Sequence, residues 1–393
     1  MPLALVLALL VSFAGVVSSA AQAPRSRLEP YRGVYLGVNL DWGNDSAAAL
    51  TNRLGGSPAV YVQFVHFPMT ADDRIYLEAF VDQVAQQGAY ALITLEPFDG
   101  LGAVTPDVIE DFASRVQFYA DQRGVPVFVR FAHEMNGSWY PWSQQPTAYV
   151  RTFRQLADAI HKRTPRAAMI WAPNYGAGYP FRGGPFETKA GTDDFALLDT
   201  NHDGVLDQRD DMYAPYYPGD DAVDWVGMSL YHWGDHYPWG KNVAPEPGKF
   251  IQQLTGVYNG ANGDERDVPD FYQDYAEGHG KPLAITETAA LFNTAVTGEP
   301  ELRIKQQWWR QFFDEQVLAA YPRIEMINWF EWRKYETEIG AIADWRLSGD
   351  PAIVAAFRAD LPRALFLFAS DVAPQPYPRE VSRPAGRLGF AGI

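Results

Sequence analysis

The chain has 393 residues, with 12 Trp, 21 Tyr and 23 Phe, no cysteine and a formal charge of −16. That charge argues against nucleic acid or an anionic membrane surface as partner, whereas a neutral polymer would not be repelled. Without disulfides the fold must rest on its core or on a bound metal, and so many aromatic faces suit either a core or a sugar-binding cleft.

Residues 2–17 form an uncharged apolar run, followed by Ser18, Ser19, Ala20, Ala21, Gln22 and Ala23. The pattern predicts a secretory signal over residues 1–23, cleaved after Ala20 or Ala23, and a secreted, extracellular protein that keeps no membrane contact after the signal is removed. An uncleaved anchor is the alternative, against which the shortness of the run argues. Asn44-Asp45-Ser46 is a glycosylation sequon, usable in a eukaryotic source. Asn136-Gly137-Ser138 is a second, set aside because a glycan there would block a cleft.

Eight short apolar runs follow, at 33–40, 59–67, 90–98, 126–134, 167–174, 224–233, 282–289 and 324–332. Each is continuous rather than alternating, as strands buried on both faces should be. Helical patterns lie between them. The segment 74–88 places Ile75, Phe80, Val81 and Val84 near one face and ends at Gly88, and Thr105-Pro106 supplies an N-cap and first helical residue for the next helix. Eight strands alternating with helices predict an α/β fold, a (β/α)8 TIM barrel forming one domain over residues 30–362. A doubly wound open sheet is the alternative, but no Gly-rich phosphate loop follows the first strand. The Pro- and Arg-rich extension, residues 363–393, is expected to be loosely ordered or laid along the barrel surface.

In such a barrel the chemistry sits where the strands end. Glu134 ends the fourth run and Glu287 the seventh, and Trp139, Tyr140 and Trp142 follow Glu134 closely. Two facing carboxylates with aromatic walls are what glycosidic bond cleavage needs. Burial would raise the pKa of the acid so that it holds a proton near neutral pH. The bland alternative is that Glu134 is a paired structural charge. Glu96 and Glu331 also lie near strand ends, where either could bind sugar hydroxyls, and Arg130 either positions a carboxylate or satisfies the core. Trp171 and Trp332 are weaker candidates, more in keeping with core or rim.

The segment "RFAHEMNGSWYPW" resembles the acid/base segment of glycoside hydrolase family 26, whose pattern is His-Glu-Met-Asn-Gly followed by Trp-Tyr-Pro-Trp; "AITETA" on the seventh run is similar to its nucleophile segment. That family consists of retaining (β/α)8 enzymes and is best known for endo-β-1,4-mannanases. The resemblance implies Glu134 as general acid/base and Glu287 as nucleophile. It implies His133 and Asn136 close to the substrate, Tyr231 holding the nucleophile, and Trp139 and Trp329 as sugar platforms. It implies double displacement with retention, with the two carboxyl groups about 5–5.5 Å apart. The expected activity is that of a secreted, monomeric endo-β-glycanase acting on β-1,4-mannan-type polysaccharide. The same mechanism on β-1,3-xylan or mixed-linkage β-glucan is the alternative within enzymes. A carbohydrate-binding barrel without turnover and a metal-dependent hydrolase are alternatives of other classes.

Residues 199–210, "DTNHDGVLDQRD", fit an acidic calcium loop inserted between the fifth and sixth strands. Asp199, Asn201 and Asp203 stand at positions one, three and five, Gly204 at six, the Val205 carbonyl at seven, Asp207 at nine and Asp210 at twelve. The closing Asp, where Glu is usual, resembles the loops of dockerin modules. A structural Ca2+ is therefore expected, with no cofactor for catalysis. His232 and His236 offer a zinc reading, but neither has a third ligand in the pattern.

Overall fold

A computed structural model describes residues 25–260 and 268–372. The signal over 1–23 and the extension from 373 onward lie outside the described residues.

Eight parallel strands form the predicted barrel: β1 (Val34–Leu40), β2 (Val60–His66), β3 (Tyr90–Glu96), β4 (Val127–Phe131), β5 (Ala167–Trp171), β6 (Trp225–Ser229), β7 (Leu283–Thr288) and β8 (Ile324–Glu331). Each pairs with the next, and β1 pairs with β8 from Tyr35↔Met326 to Leu40↔Glu331, which closes the cylinder. The continuous apolar runs are explained by this closure, because each strand packs inward on the bore and outward on a ring of helices. The lower bore is filled by side chains including Tyr35, Tyr90, Phe128 and Trp225.

The outer ring comprises α1 (Ala47–Leu54), α2 (Ala71–Gln87), α3 (Pro106–Gln117), α4 (Pro146–His161), the short α5 (Asp193–Leu198) and α6 (Lys249–Leu254), then α7 (Glu301–Phe313), α8 (Glu315–Ala320) and α9 (Pro351–Asp360). Thr70 caps α2 through a capping box with Asp73, and Gly88 ends it with a left-handed φ of 67°. Thr105 caps α3 ahead of Pro106, as the sequence predicts. One expectation on α2 fails: Ile75 is 65% exposed, and Leu77 joins Phe80, Val81 and Val84 in the core instead. Among the described residues, no helix is long and apolar enough to cross a membrane.

Two additions shape the ends of the barrel. At the mouth, β9 (Arg333–Glu336) and β10 (Ala341–Asp344) form an antiparallel hairpin that continues directly from β8. At the floor, β11 (Phe366–Leu367) pairs in parallel with the start of β1, and both of its residues are buried. Over residues 363–372 the extension is therefore built into the barrel floor, where it was expected to be loosely ordered or laid along the barrel surface.

Candidate active site

The fourth strand stops earlier than its apolar run implies. Pairing ends at Phe131, and Ala132 (φ 48°) and Glu134 (φ 54°) then take left-handed backbone conformations. Such conformations disfavour residues with a Cβ and persist where the surroundings fix them, commonly at functional sites. Here the Ala132 amide donates to the Leu95 carbonyl at 2.9 Å and the Glu134 amide to the Ala172 carbonyl at 3.0 Å. The chain thus turns over the ends of β3 and β5, and Glu134 reaches the barrel mouth. Behind it, the Trp142 indole donates to the His133 carbonyl at 2.7 Å. Gly137 is needed because a Cβ there would lie 2.5 Å from the Trp139 ring.

Glu287, 7% exposed on β7, faces the same space. Arg130 Nη2 donates to its Oε1 at 2.5 Å, and Tyr231 Oη donates to its Oε2 at 2.8 Å. Both carboxylate oxygens are therefore met by donors. Burial and the Glu287 and Glu134 charges push the Tyr231 phenol well above its ordinary range, so it keeps the proton it donates. Arg130 is fully buried in the bore, where its Nε donates to Thr94 Oγ1 at 3.1 Å and its guanidinium lies over the Phe64 ring. Of its two expected roles, it fulfils the positioning one. A register shift between Met228 and Ser229 interrupts the pairing of β6 with β7 beside Glu287, an irregularity that re-aims side chains next to active sites.

Glu134 is held differently. Burial, and then the Glu287 charge, raise its pKa to about 7; Ser229, Arg130 and Trp139 oppose the shift. Glu96, at the end of β3, is also raised to about 7, first by burial and then by the other two glutamates, against the lowering effect of Arg130. His133 is buried beside Arg130, and both effects drive its pKa well down, so the ring is neutral. Its imidazole packs edge-on to Phe64 at 5.3 Å and against Tyr140 at 5.0 Å.

These groups line one cleft of about 770 Å3, ample for sugar rings. It contains Glu134, Glu287, Glu96, His133, Tyr231 and Trp139. A further wall is formed by Trp332, a weak rim candidate from the sequence, and by Trp233, Trp239, Phe330 and Trp345, which the sequence did not single out, with Lys334 and Glu336 from the β9–β10 hairpin. Trp332 lies nearly parallel to Phe330 at 5.9 Å.

Four residues offered as candidates lie elsewhere. Trp329 is 2% exposed on the outward face of β8, packs on Trp309 of α7, and donates to the Trp345 carbonyl at 2.9 Å. It is a core residue and no platform. The reason is strand period: Asn328, Phe330 and Trp332 alternate with Trp329 and Glu331, so only the first set faces the bore and mouth. Glu331 accordingly accepts from the Leu347 and Ser348 amides, both at 2.8 Å, outside the cleft. Asn136 is buried and exchanges two hydrogen bonds with the Asn174 backbone at 2.8 and 2.9 Å, which joins the loops after β4 and β5 rather than lining the cleft. Trp171 is core, stacked on Phe271.

The acidic loop is an array of side chain–backbone turns. Asp199 accepts from the Asp203 and Gly204 amides, Asn201 from the Asp203 amide, and Asp210 from the Asn201 and Asp207 amides. The Asp203 and Asp207 carboxylates pair with Arg209 at 2.7 Å, and Val205 is exposed. Among the described residues, no three acidic or imidazole side chains converge as metal ligands do. That holds also for the zinc alternative: His232 Nε2 donates to the Val243 carbonyl, and His236 pairs with Asp235.

Comparison with known proteins bears out the family resemblance and the barrel. Residues 51–181 match the model of glycosyl hydrolase family 26. Endoglucanase H of Acetivibrio thermocellus is 23% identical over 304 residues, covering 75% of this chain; the chain spans about a quarter (26%) of the length of that relative. An endo-β-1,4-mannanase of Cellulomonas fimi shares the fold with a TM-score of 0.53 at 17% identity, over 87% of this chain and 73% of that one. The structure of GH26C from Muricauda sp. gives 0.53 at 14% identity, over 86% and 88%. The catalytic domain of a Bacillus sp. family 26 endo-β-1,4-mannanase gives 0.51 at 17% identity, over 87% and 89%.

Proposed function

On the footing of that family likeness, we propose that this protein is a secreted retaining endo-β-glycanase cleaving β-1,4-mannan-type polysaccharide, with Glu287 as nucleophile and Glu134 as general acid/base. The observation that carries the reading is the unequal treatment of two carboxyl groups in one aromatic cleft. Glu287 receives donors on both oxygens, while Glu134 is raised to about 7. Donors on both oxygens of one carboxylate and a raised pKa on the other support reading them as the nucleophile and the acid of a glycosidase pair.

In the first step, a Glu287 oxygen attacks the anomeric carbon as Glu134 gives its proton to the departing glycosidic oxygen. The bond to the leaving sugar breaks and a glycosyl ester on Glu287 forms. Glu134, now ionised, takes a proton from water, whose oxygen attacks the same carbon and frees Glu287. Two inversions return the original configuration. Tyr231 and Arg130 fix the attacking carboxylate, and the aromatic walls hold sugar faces and exclude water.

A second reading, the same mechanism on a β-glucan, is favoured by one observation: the curated relative matched over most of the chain is named an endoglucanase. Incubation with mannan, glucomannan, β-1,3-xylan and mixed-linkage glucan, with product lengths read out, decides between them. Release of reducing ends from mannan above all other polymers supports the mannan reading, and cleavage of glucan alone replaces it. Secretion rests on the apolar run over residues 2–17. A structural Ca2+ on Asp199, Asn201, Asp203, the Val205 carbonyl and Asp210 is a separate proposal, supported by their spacing.

A further inference from the structure

We infer that Phe181, supplied by the long segment between β5 and β6, is a specificity-determining residue for the leaving-group side of the cleft, where it and Trp139 hold the sugar that departs. The inference rests on the glycosidase reading above and deepens it.

Phe181 lines the same cleft as Glu134, and its ring meets Trp139 edge-on, 5.0 Å between centroids at 73°. Its backbone is left-handed at φ 56°, an outlier for a bulky residue that persists only where the surroundings over-determine it. Those surroundings are the loop that carries the general acid. Ser138 Oγ donates to the Phe181 carbonyl at 2.5 Å, and the Phe186 amide donates to the Ser138 carbonyl at 3.0 Å. The buried Gln144 clamps both flanks: its Nε2 donates to the Pro180 carbonyl at 2.8 Å and its Oε1 accepts from the Thr188 amide at 2.9 Å. Gly184 permits this closeness, since a Cβ there would lie 2.5 Å from the Ser138 carbonyl oxygen. On its far side the segment is anchored by Arg182 Nη2, which donates to the Leu206 carbonyl at 2.6 Å.

Phe181 is therefore held in register with the general acid rather than with the nucleophile. Glu287 and Tyr231 lie against a different aromatic group, with Trp345 5.3 Å from the Tyr231 ring. A general acid must touch the glycosidic oxygen that leaves, so the departing pyranose lies beside the acid's own loop. The ligand expected there is one unit of a β-linked glycan that offers its apolar C–H face to the Trp139–Phe181 pair.

The test compares two substrates with the same glycone in the wild type, Phe181→Ala and Phe181→Trp. One is an oligosaccharide that places a sugar on the leaving side; the other is the β-glycosyl fluoride, whose leaving group occupies no sugar site there. The expected result is a fall of about tenfold in the ratio of kcat/KM (oligosaccharide over fluoride) in Phe181→Ala, equivalent to roughly 1.4 kcal/mol, with the ratio restored in Phe181→Trp. Equal losses on both substrates would mean that Phe181 only supports the loop, and would overturn the inference. The same assay separates the parent reading: fluoride turnover that survives in Glu287→Ala overturns the assignment of the nucleophile, whatever Phe181 does.

Discussion

Tyr231 donates to Glu287 Oε2 at 2.8 Å while Arg130 takes the other oxygen, so the carboxylate is fixed from two sides, by a group just past the end of β6 and by one on β4. Removing the Tyr231 hydroxyl leaves one Glu287 oxygen without its donor. Tyr231→Phe is expected to lower kcat on the order of 100-fold, the scale of losing one preorganised hydrogen bond at a reacting group. Its melting temperature should remain within a few degrees of wild type. A large melting shift with little change in kcat would make Tyr231 a structural residue.

The two glutamates should respond in opposite ways to added azide. In Glu287→Ala, azide can attack from the vacated side and yield the α-glycosyl azide. In Glu134→Ala, azide resolves the glycosyl ester and yields the β-glycosyl azide. Mass spectrometry and NMR of the products read out both. The reverse pattern would exchange the two roles.

The pH dependence follows from Glu134. Its pKa is raised to about 7, and the acid works only while protonated, so kcat/KM on polysaccharide should fall as pH rises through about 7. With glycosyl fluorides, whose departure needs no proton, Glu134→Gln should abolish that limb. Stability carries the opposite cost. Between its unfolded value of 4.5 and about 7, the folded protein holds the proton that the unfolded chain has released, so stability declines with rising pH across that window. Glu134→Gln should therefore raise the melting temperature at pH 7.5 by roughly 1–3 °C, with the shift shrinking toward pH 5. A stabilisation that grows toward acid pH would contradict the sign.

If residues 199–210 bind Ca2+, chelation should lower the melting temperature and added Ca2+ should restore it, with Asp203→Ala abolishing both effects. A melting temperature indifferent to both treatments would leave the loop as the self-bonded turn array described above.

Much of the barrel was legible because strands buried on both faces read as uninterrupted apolar runs, and all eight formed. Their ends were not legible. The run through Glu134 reads as strand, yet pairing stops at Phe131, and the left-handed turns at Ala132 and Glu134 that aim the carboxylate depend on the Leu95 carbonyl of β3 and the Ala172 carbonyl just past β5, far away in sequence. The platform role that the resemblance implies for Trp329 falls on the outward parity of β8, whereas the two-residue alternation around Asn328, Phe330 and Trp332 marks the inner face. Arg130 as the partner of Glu287 could be suspected from its place as a charge inside a buried run, four residues before Glu134. The second aromatic wall draws on Trp233, Trp239, Trp345 and the β9–β10 hairpin, which only folding brings together.

The anomeric configuration of the first product tests the central claim most directly. Proton NMR during cleavage of whichever β-linked polymer the enzyme accepts should show the β-anomer appearing first, with the α-anomer following only at the rate of mutarotation. An α-anomer that accumulates first would mean single displacement, and would contradict the assignment of Glu287 as nucleophile and Glu134 as its acid/base partner.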